Sequence, residues 1–259
     1  MSDRPPRFPV PLERLGRTPA QAPTAAPERD EQRAPAAAPS GIGLDSQQVR
    51  QRMVQRLRAQ GLDCGPVIEA MALVPRHLFV DAGLAAQAYE DTSLPIGHGQ
   101  TISKPSIVAR MLSLLFETRG RVSRLGRVLE IGTGCGYQAA LLAQLASMVI
   151  SVERLRPLHD KARENLASMR GSNLRLVYAD GRLGHPPNAP YDAIICAAGG
   201  EDIPQAWLDQ LAVGGRLVAP TQADARGSQV LVSVDRHEQG WSRRDHDAVR
   251  FVPLRSGTA

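Results

Sequence analysis

The chain has 259 residues, 42% of them apolar and only 4% aromatic, with a formal net charge of +5 at neutral pH. That length holds one substantial α/β domain or two small ones around a core of Leu, Val, Ala and Ile. No apolar run approaches the roughly 18 residues that a membrane span needs, and prolines and charges stand where a secretory leader would be apolar, so the expectation is a cytoplasmic protein with no membrane partner.

Residues 1–44 are rich in Pro, Ala and Arg, with PAQAPTAAPERDEQRAPAAAP at their centre, and lack the large apolar side chains that offset ordering entropy. They are expected to form a disordered extension ahead of a folded domain at 45–255. A first helix is expected from an N-cap at Asp45 or Ser46 to Gly61, with Val49, Met53, Val54 and Leu57 on one face. Its Arg50, Arg52, Arg56 and Arg58 form the densest basic patch. Without interleaved aromatic residues that patch reads as a solvated face and not as a nucleic-acid contact. A second helix occupies 66–73, and VPRHLFVDAG (74–83) then breaks at Pro75, leaving His77 as a surface or capping residue. Residues 94–105, LPIGHGQTISKP, read as a polar loop holding His98, Gln100, Thr101, Ser103 and Lys104. The loop enters a helix beginning at Pro105. That is an anion-binding arrangement, a helix cap made by Ser103, or both.

The most informative stretch is 127–142, RVLEIGTGCGYQAALL, which reads as strand, glycine turn and helix. Its pattern is GxGxG, not the GxGxxG of dinucleotide sites, and Glu130 at the strand end would repel a pyrophosphate. Glu153 ends the next apolar run, 148–152, about 20 residues on, where a ribose-binding acid falls in a βαβ site. Asp180 ends a third, 174–179. Three acids at successive strand ends suit a nucleoside with a cationic tail, and S-adenosyl-L-methionine fits that description. Further on, 156–169 reads as a helix, YDAIICAA (191–198) as a central strand, 203–211 as a helix and 216–219 as a strand after Gly214-Gly215. Residues 229–235 and 248–254 read as an antiparallel pair separated by a polar spacer, 236–247. The series predicts a doubly wound, mostly parallel seven-stranded α/β sheet with a small helical subregion before it. Cys64, Cys135 and Cys196 are three scattered thiols without CxxC spacing, which argues against disulfides and a metal site.

With those residues in hand, the chain resembles the protein-L-isoaspartate O-methyltransferase family. VLEIGTGCGYQAALLAQL is similar to the family's cofactor motif, LPIGHGQTISKPSIVARM to its substrate loop, and YDAIICAAGGEDIPQAWLDQLAVGGRLVAP to its later strands; VPRHLFV and VRFVPL match too. The resemblance covers roughly residues 45–255 and implies a Rossmann-like class I methyltransferase fold. It implies Ser103 as the active-site serine, Gly99, Gln100 and Thr101 in a loop closing over cofactor and acceptor, and Gly132, Gly134, Glu153 and Asp180 at the cofactor; Glu130, Thr133 and Gly181 are expected beside them, with no metal. Cys135 stands where the family commonly has Ser, Lys104-Pro105-Ser106 where it has Gln-Pro-Tyr, and Ala197 where it has Thr. The implied reaction moves a methyl group to the free α-carboxylate of an isoaspartyl residue in a damaged protein, with the enzyme working as a monomer. Because an α-carboxyl ionises near pH 3.5, such a nucleophile needs no general base. An alternative is a methyltransferase acting on nucleic acid or another small acceptor, but Ala197-Ala198-Gly199-Gly200 stands where a D/N-P-P-Y clamp would be needed. A nucleotide-binding module docking through the Arg50 helix leaves the GQTIS loop without a purpose.

Overall fold

A computed structural model describes residues 47–117, 124–169, 171–224 and 227–259, which belong to the unit Ser40–Ala259. The expected N-terminal extension and the N-cap of the first helix lie outside the described residues. Helix α1 (Gln47–Ala59) buries Met53, Val54 and Leu57 and turns Arg52, Arg56 and Arg58 outward, as its apolar spacing requires. Helix α2 (Gly65–Leu73) starts with Pro66 in its first turn, where a missing N–H leaves nothing unsatisfied. A 3-10 turn, Arg76–Phe79, follows Pro75, and His77 there pairs its Nδ1 with the Tyr89 hydroxyl at 2.7 Å.

The segment expected to be a polar loop is a small hairpin. Strand β1 (Leu94–Gly97) runs antiparallel to β2 (Gln100–Ile102), with Leu94, Ile96 and Ile102 buried and Pro95 and Thr101 exposed. Gly97, His98 and Gly99 take φ of +94°, +53° and +67° to turn the chain between them. Helix α3 (Pro105–Leu114) follows and buries Val108, Met111, Leu112 and Leu114. Ser103 does not cap it. Asp91 does so from fifteen residues away, accepting hydrogen bonds from the Ser106 amide and hydroxyl at 2.8 Å each.

The main sheet is built from β3 (Leu125–Ile131), β4 (Ala146–Glu153), β5 (Leu174–Tyr178), β6 (Tyr191–Cys196), β7 (Leu211–Gln222), β8 (Gln229–His237) and β9 (Gly240–Val249), in spatial order β5-β4-β3-β6-β7-β8-β9. The first four neighbouring pairs run parallel and the last two antiparallel. Helices α4 (Tyr137–Leu145), α5 (Arg156–Asn165) and α6 (Gln205–Gln210) complete the crossovers. Alternate side chains separate the two faces: Val128, Val149, Ala193 and Val218 meet the N-terminal helices, while Leu129, Ile150, Ile194 and Leu217 meet Trp207 of α6. The chain winds outward from β3 to β5, then returns to β6 on the other side of β3. A crevice at the carboxyl ends of β3, β4 and β6 is where such a reversal leaves room for a ligand.

The C-terminal strand pairing differs from expectation. The polar stretch taken for a spacer is β9 itself, whose Trp241, Arg243, Arg244, Asp245 and Asp247 are exposed because the strand lies at the sheet edge. Residues 250–254, apolar enough to suggest a strand, leave the sheet and make only a bridge from Pro253 to Gly199. Helix α5 also ends four residues short of Met169, and β7 runs through Gly214-Gly215 from Leu211.

Candidate active site

The glycine turn after β3 follows the strand–turn–helix geometry its composition demands. Gly132, Gly134 and Gly136 take φ of +88°, +56° and +92°, the last as the residue preceding α4. The Gly132 amide donates to the Val152 carbonyl at 2.9 Å, binding the turn to β4. Glu153, 5% exposed, accepts from the Gly134 amide at 2.9 Å with one oxygen and from the Leu155 amide at 2.9 Å with the other. One carboxylate thus joins the turn to the start of α5.

Above the turn lies a cleft of about 920 Å³ including its open mouth. Of the residues expected at the site, Gln100, Thr101, Ser103, Gly132, Thr133, Gly134, Glu153 and Gly181 line it. Three do not. Gly99 lies in the hairpin turn outside the wall. Asp180 spends its carboxylate on the Arg182 amide at 2.9 Å and the Gly257 amide at 2.6 Å. Glu130 is fully enclosed beneath the turn, opposite Ser151 in the strand register, and takes the Ser151 hydroxyl at 2.5 Å. Burial first, with some repulsion from Glu153, pushes its carboxyl up to about 8, against the pull of Ser151 and Gln138. It is therefore a neutral acid at pH 7, not the charge facing a ligand that its place in the strand suggested. The Thr133 hydroxyl completes this buried chain, 2.6 Å from that of Ser151.

The wall also contains residues that sequence reasoning passed over. Ile96 of the hairpin faces the turn, and a Cβ on Gly134 would come within 3.2 Å of its Cδ1. Gln138 of α4 also lines the cleft, with its amide acting on the buried Glu130 carboxyl. Val252, Pro253, Leu254 and Arg255 form the far side, fixed by hydrogen bonds from the Gly199 amide to Val252 and from the Leu254 amide to Gly199, each 2.8 Å. Their signal was the VRFVPL match, read as a strand. Cys135 also lines the cleft, but burial pushes its thiol up to about 11 and that of Cys196 to about 12, so neither is a nucleophile at neutral pH. The lining residues include no histidine, and the one carboxylate, Glu153, is bonded through both oxygens.

Ser103 is half-buried and lines a second, shallower cleft as well, with Ser93, Lys104, Ile107, Val249, Arg250 and Phe251. It is the one residue common to both. The arrangement can hold a nucleoside-bearing ligand over the glycine turn and present a second, extended reactant to it at Ser103.

The family described as protein-L-isoaspartate(D-aspartate) O-methyltransferase matches residues 47–259. The chain belongs to this family. A protein-L-isoaspartate O-methyltransferase of Methylibium petroleiphilum is 60% identical over 262 residues, covering 98% of this chain and 97% of the relative. One from Leptothrix cholodnii is 67% identical over 221 residues, covering 85% and 78%. A solved protein-L-isoaspartate O-methyltransferase superimposes with a TM-score of 0.71 at 26% identity, over 79% of this chain and 65% of its own. A Plasmodium falciparum chain solved in complex with S-adenosyl-L-homocysteine gives 0.68 at 24% identity, over 80% and 98%, and supports the fold. The family's doubly wound, Rossmann-like class I methyltransferase sheet is the one described above.

Proposed function

We propose that this chain methylates the free α-carboxylate of L-isoaspartyl residues in damaged proteins, with Ser103 as the group that orients the acceptor. The observation that carries the reading is the position of Ser103, shared by the glycine-turn cleft and the second cleft beside it. S-adenosyl-L-methionine, when bound, supplies a methyl group activated by its sulfonium. The cleft suits it: a glycine cradle that a side chain at Gly134 would crowd, and apolar walls from Val152, Leu155 and Leu158. Gln100, Thr101, Gly132, Thr133, Gly134, Glu153 and Gly181 would hold it.

The acceptor α-carboxylate is ionised at neutral pH, since its pKa is about 3.5. No side chain has to remove a proton, which agrees with a wall lacking histidine and with a Glu153 occupied by two backbone amides. The Ser103 hydroxyl donates one hydrogen bond to the carboxylate and leaves the other oxygen free to attack. A stronger cationic grip at the attacking oxygen would quench it. Catalysis is then positioning at roughly 3 to 3.5 Å, a contribution of several kcal/mol. After release, the ester closes to a succinimide with loss of methanol, and its hydrolysis returns part of the damage to normal aspartate.

Methylation of a nucleic-acid base has no support at the end of β6. Gly199 bonds Val252 and Leu254, and Gly200 bonds Pro220 and Gln222, so this loop's backbone groups are engaged where a base clamp would stand. We read the enzyme as a monomer working in the cytoplasm; among the described residues no helix is long and apolar enough to cross a membrane. The test is transfer of labelled methyl from S-adenosyl-L-methionine to an isoaspartyl peptide, with its aspartyl twin as control. Incorporation only into the isoaspartyl peptide supports the reading, and none into either overturns it.

A further inference from the structure

Arg76 is a buried cation hydrogen-bonded to the Ser103 backbone, and the mechanism above does not use it. It is completely buried, though it lines neither cleft. Its Nε donates to the Ala88 carbonyl and its Nη2 to the Ser103 carbonyl, both at 2.7 Å. Its guanidinium carbon lies 4.9 Å from the centre of the Tyr137 ring, and the buried phenol of Tyr137 helps to hold its charge. Burial lowers its pKa, but an arginine stays protonated. Among the described residues no carboxylate makes an ion pair or hydrogen bond with it. Burial pushes the Tyr137 phenol up to about 12 and the Cys135 thiol up to about 11, so both are neutral at pH 7, and Asp91, without pairing with it, is the acid whose charge favours the guanidinium.

A buried cation without a counter-ion is expensive, and a neutral amide side chain could donate two hydrogen bonds more cheaply. What distinguishes this place is its neighbour. The Ser103 peptide rests directly on the guanidinium, and Ser103 is where an anionic acceptor arrives. We propose that Arg76 is a positioning residue for methyl transfer: it clamps the Ser103 peptide to the Ala88 segment, and its buried charge favours a carboxylate at the Ser103 hydroxyl. The proposal rests on the reading of Ser103 given above. It also accounts for a segment, VPRHLFV, that the cofactor cleft leaves unexplained.

The test compares Arg76→Lys and Arg76→Gln for kcat and KM with an isoaspartyl peptide, for binding of S-adenosyl-L-homocysteine by calorimetry, and for thermal stability. Lysine keeps the charge but cannot span both carbonyls, so roughly a tenfold loss of kcat/KM is expected, against roughly a hundredfold for glutamine. Binding of S-adenosyl-L-homocysteine should stay within about twofold in both. In a Ser103→Ala background the Arg76 substitutions should cost less than about twofold more, because their effect passes through that hydroxyl. Additive losses, or equal losses in activity and S-adenosyl-L-homocysteine binding, would mean a general packing role and overturn the proposal. Lysine performing no better than glutamine would overturn the part played by charge, and if the glutamine variant does not fold, full activity in the lysine variant overturns the clamp. Impaired Ser103→Ala with unimpaired Arg76 variants refutes this proposal alone. Full turnover in Ser103→Ala refutes the Ser103 reading and the clamp with it.

Discussion

Replacing Glu130 with Gln should stabilise the protein at neutral pH and remove a loss of stability that the native chain suffers as pH rises. The carboxyl is wholly enclosed beneath the glycine turn, and burial moves it from an ordinary 4.5 to about 8. The folded state therefore holds a proton that the unfolded chain releases. Stability from this group is complete below about pH 4.5, declines by about 1.4 kcal/mol per pH unit through the window up to about 8, and is constant beyond it. At pH 7 the accumulated penalty is on the order of 3 kcal/mol. Glutamine has the same shape and nothing to titrate. Its oxygen can face Gln138 and its amide can donate to Ser151, which then turns its own proton toward Thr133, 2.6 Å away. Urea unfolding followed by the fluorescence of buried Trp207 at pH 5, 7 and 8.5 measures the effect. The gap between variant and native chain should be small at pH 5 and widen steadily. Parallel profiles across that range would refute the reasoning, since they would mean that Glu130 ionises alike in folded and unfolded chains.

Glu153→Ala should weaken S-adenosyl-L-homocysteine binding by roughly tenfold or more, because the Gly134 and Leu155 amides lose their common acceptor; full affinity in equilibrium dialysis would contradict this. Gly134→Ala forces a side chain into a φ of +56° and to within 3.2 Å of Ile96, so it should lose about 1 to 2 kcal/mol of stability and narrow the cleft. A second change, Ile96→Val, should restore part of the S-adenosyl-L-homocysteine binding if crowding is the cause. Asp91→Ala removes both bonds to Ser106 at the start of α3 and should destabilise the chain by about 1 kcal/mol while raising KM for the isoaspartyl peptide. An unchanged thermal midpoint and KM would show that the cap is dispensable.

Most of the α/β frame could be read from local pattern. The β3 run, its glycines and the helix beyond them announce themselves within a few residues, and β6, apolar throughout after Tyr191 and Asp192, belongs at the sheet centre, where it lies. What escaped depends on distant partners or on exposure. The hairpin Leu94–Ile102 alternates over too few residues, between glycines, to stand out from a loop. The edge strand β9 carries charges on both faces, so its composition imitates a spacer, while the apolar residues after it serve the cleft instead of the sheet. Glu130 was placed at the right strand end, but periodicity does not say that its side of the sheet is covered there. Ser103 looked like its own helix's cap because Asp91, which does that work, lies far back in the chain. Gln100, Thr101, Ser103, Gly132, Thr133, Gly134, Glu153 and Gly181 do converge on one cleft, since each sits in or beside a turn at a strand end.

The two flanks of the sheet bear on how the protein behaves in concentrated solution. Beyond β9, a neighbouring molecule seeking to extend the ladder would meet Arg243, Arg244, Asp245 and Asp247, whose hydration it would have to strip; at the opposite flank β5 offers five residues with Arg175 exposed among them. Neither flank invites polymerisation. For an enzyme of damaged proteins, those same charges set a desolvation cost on any strand of a substrate that would pair there.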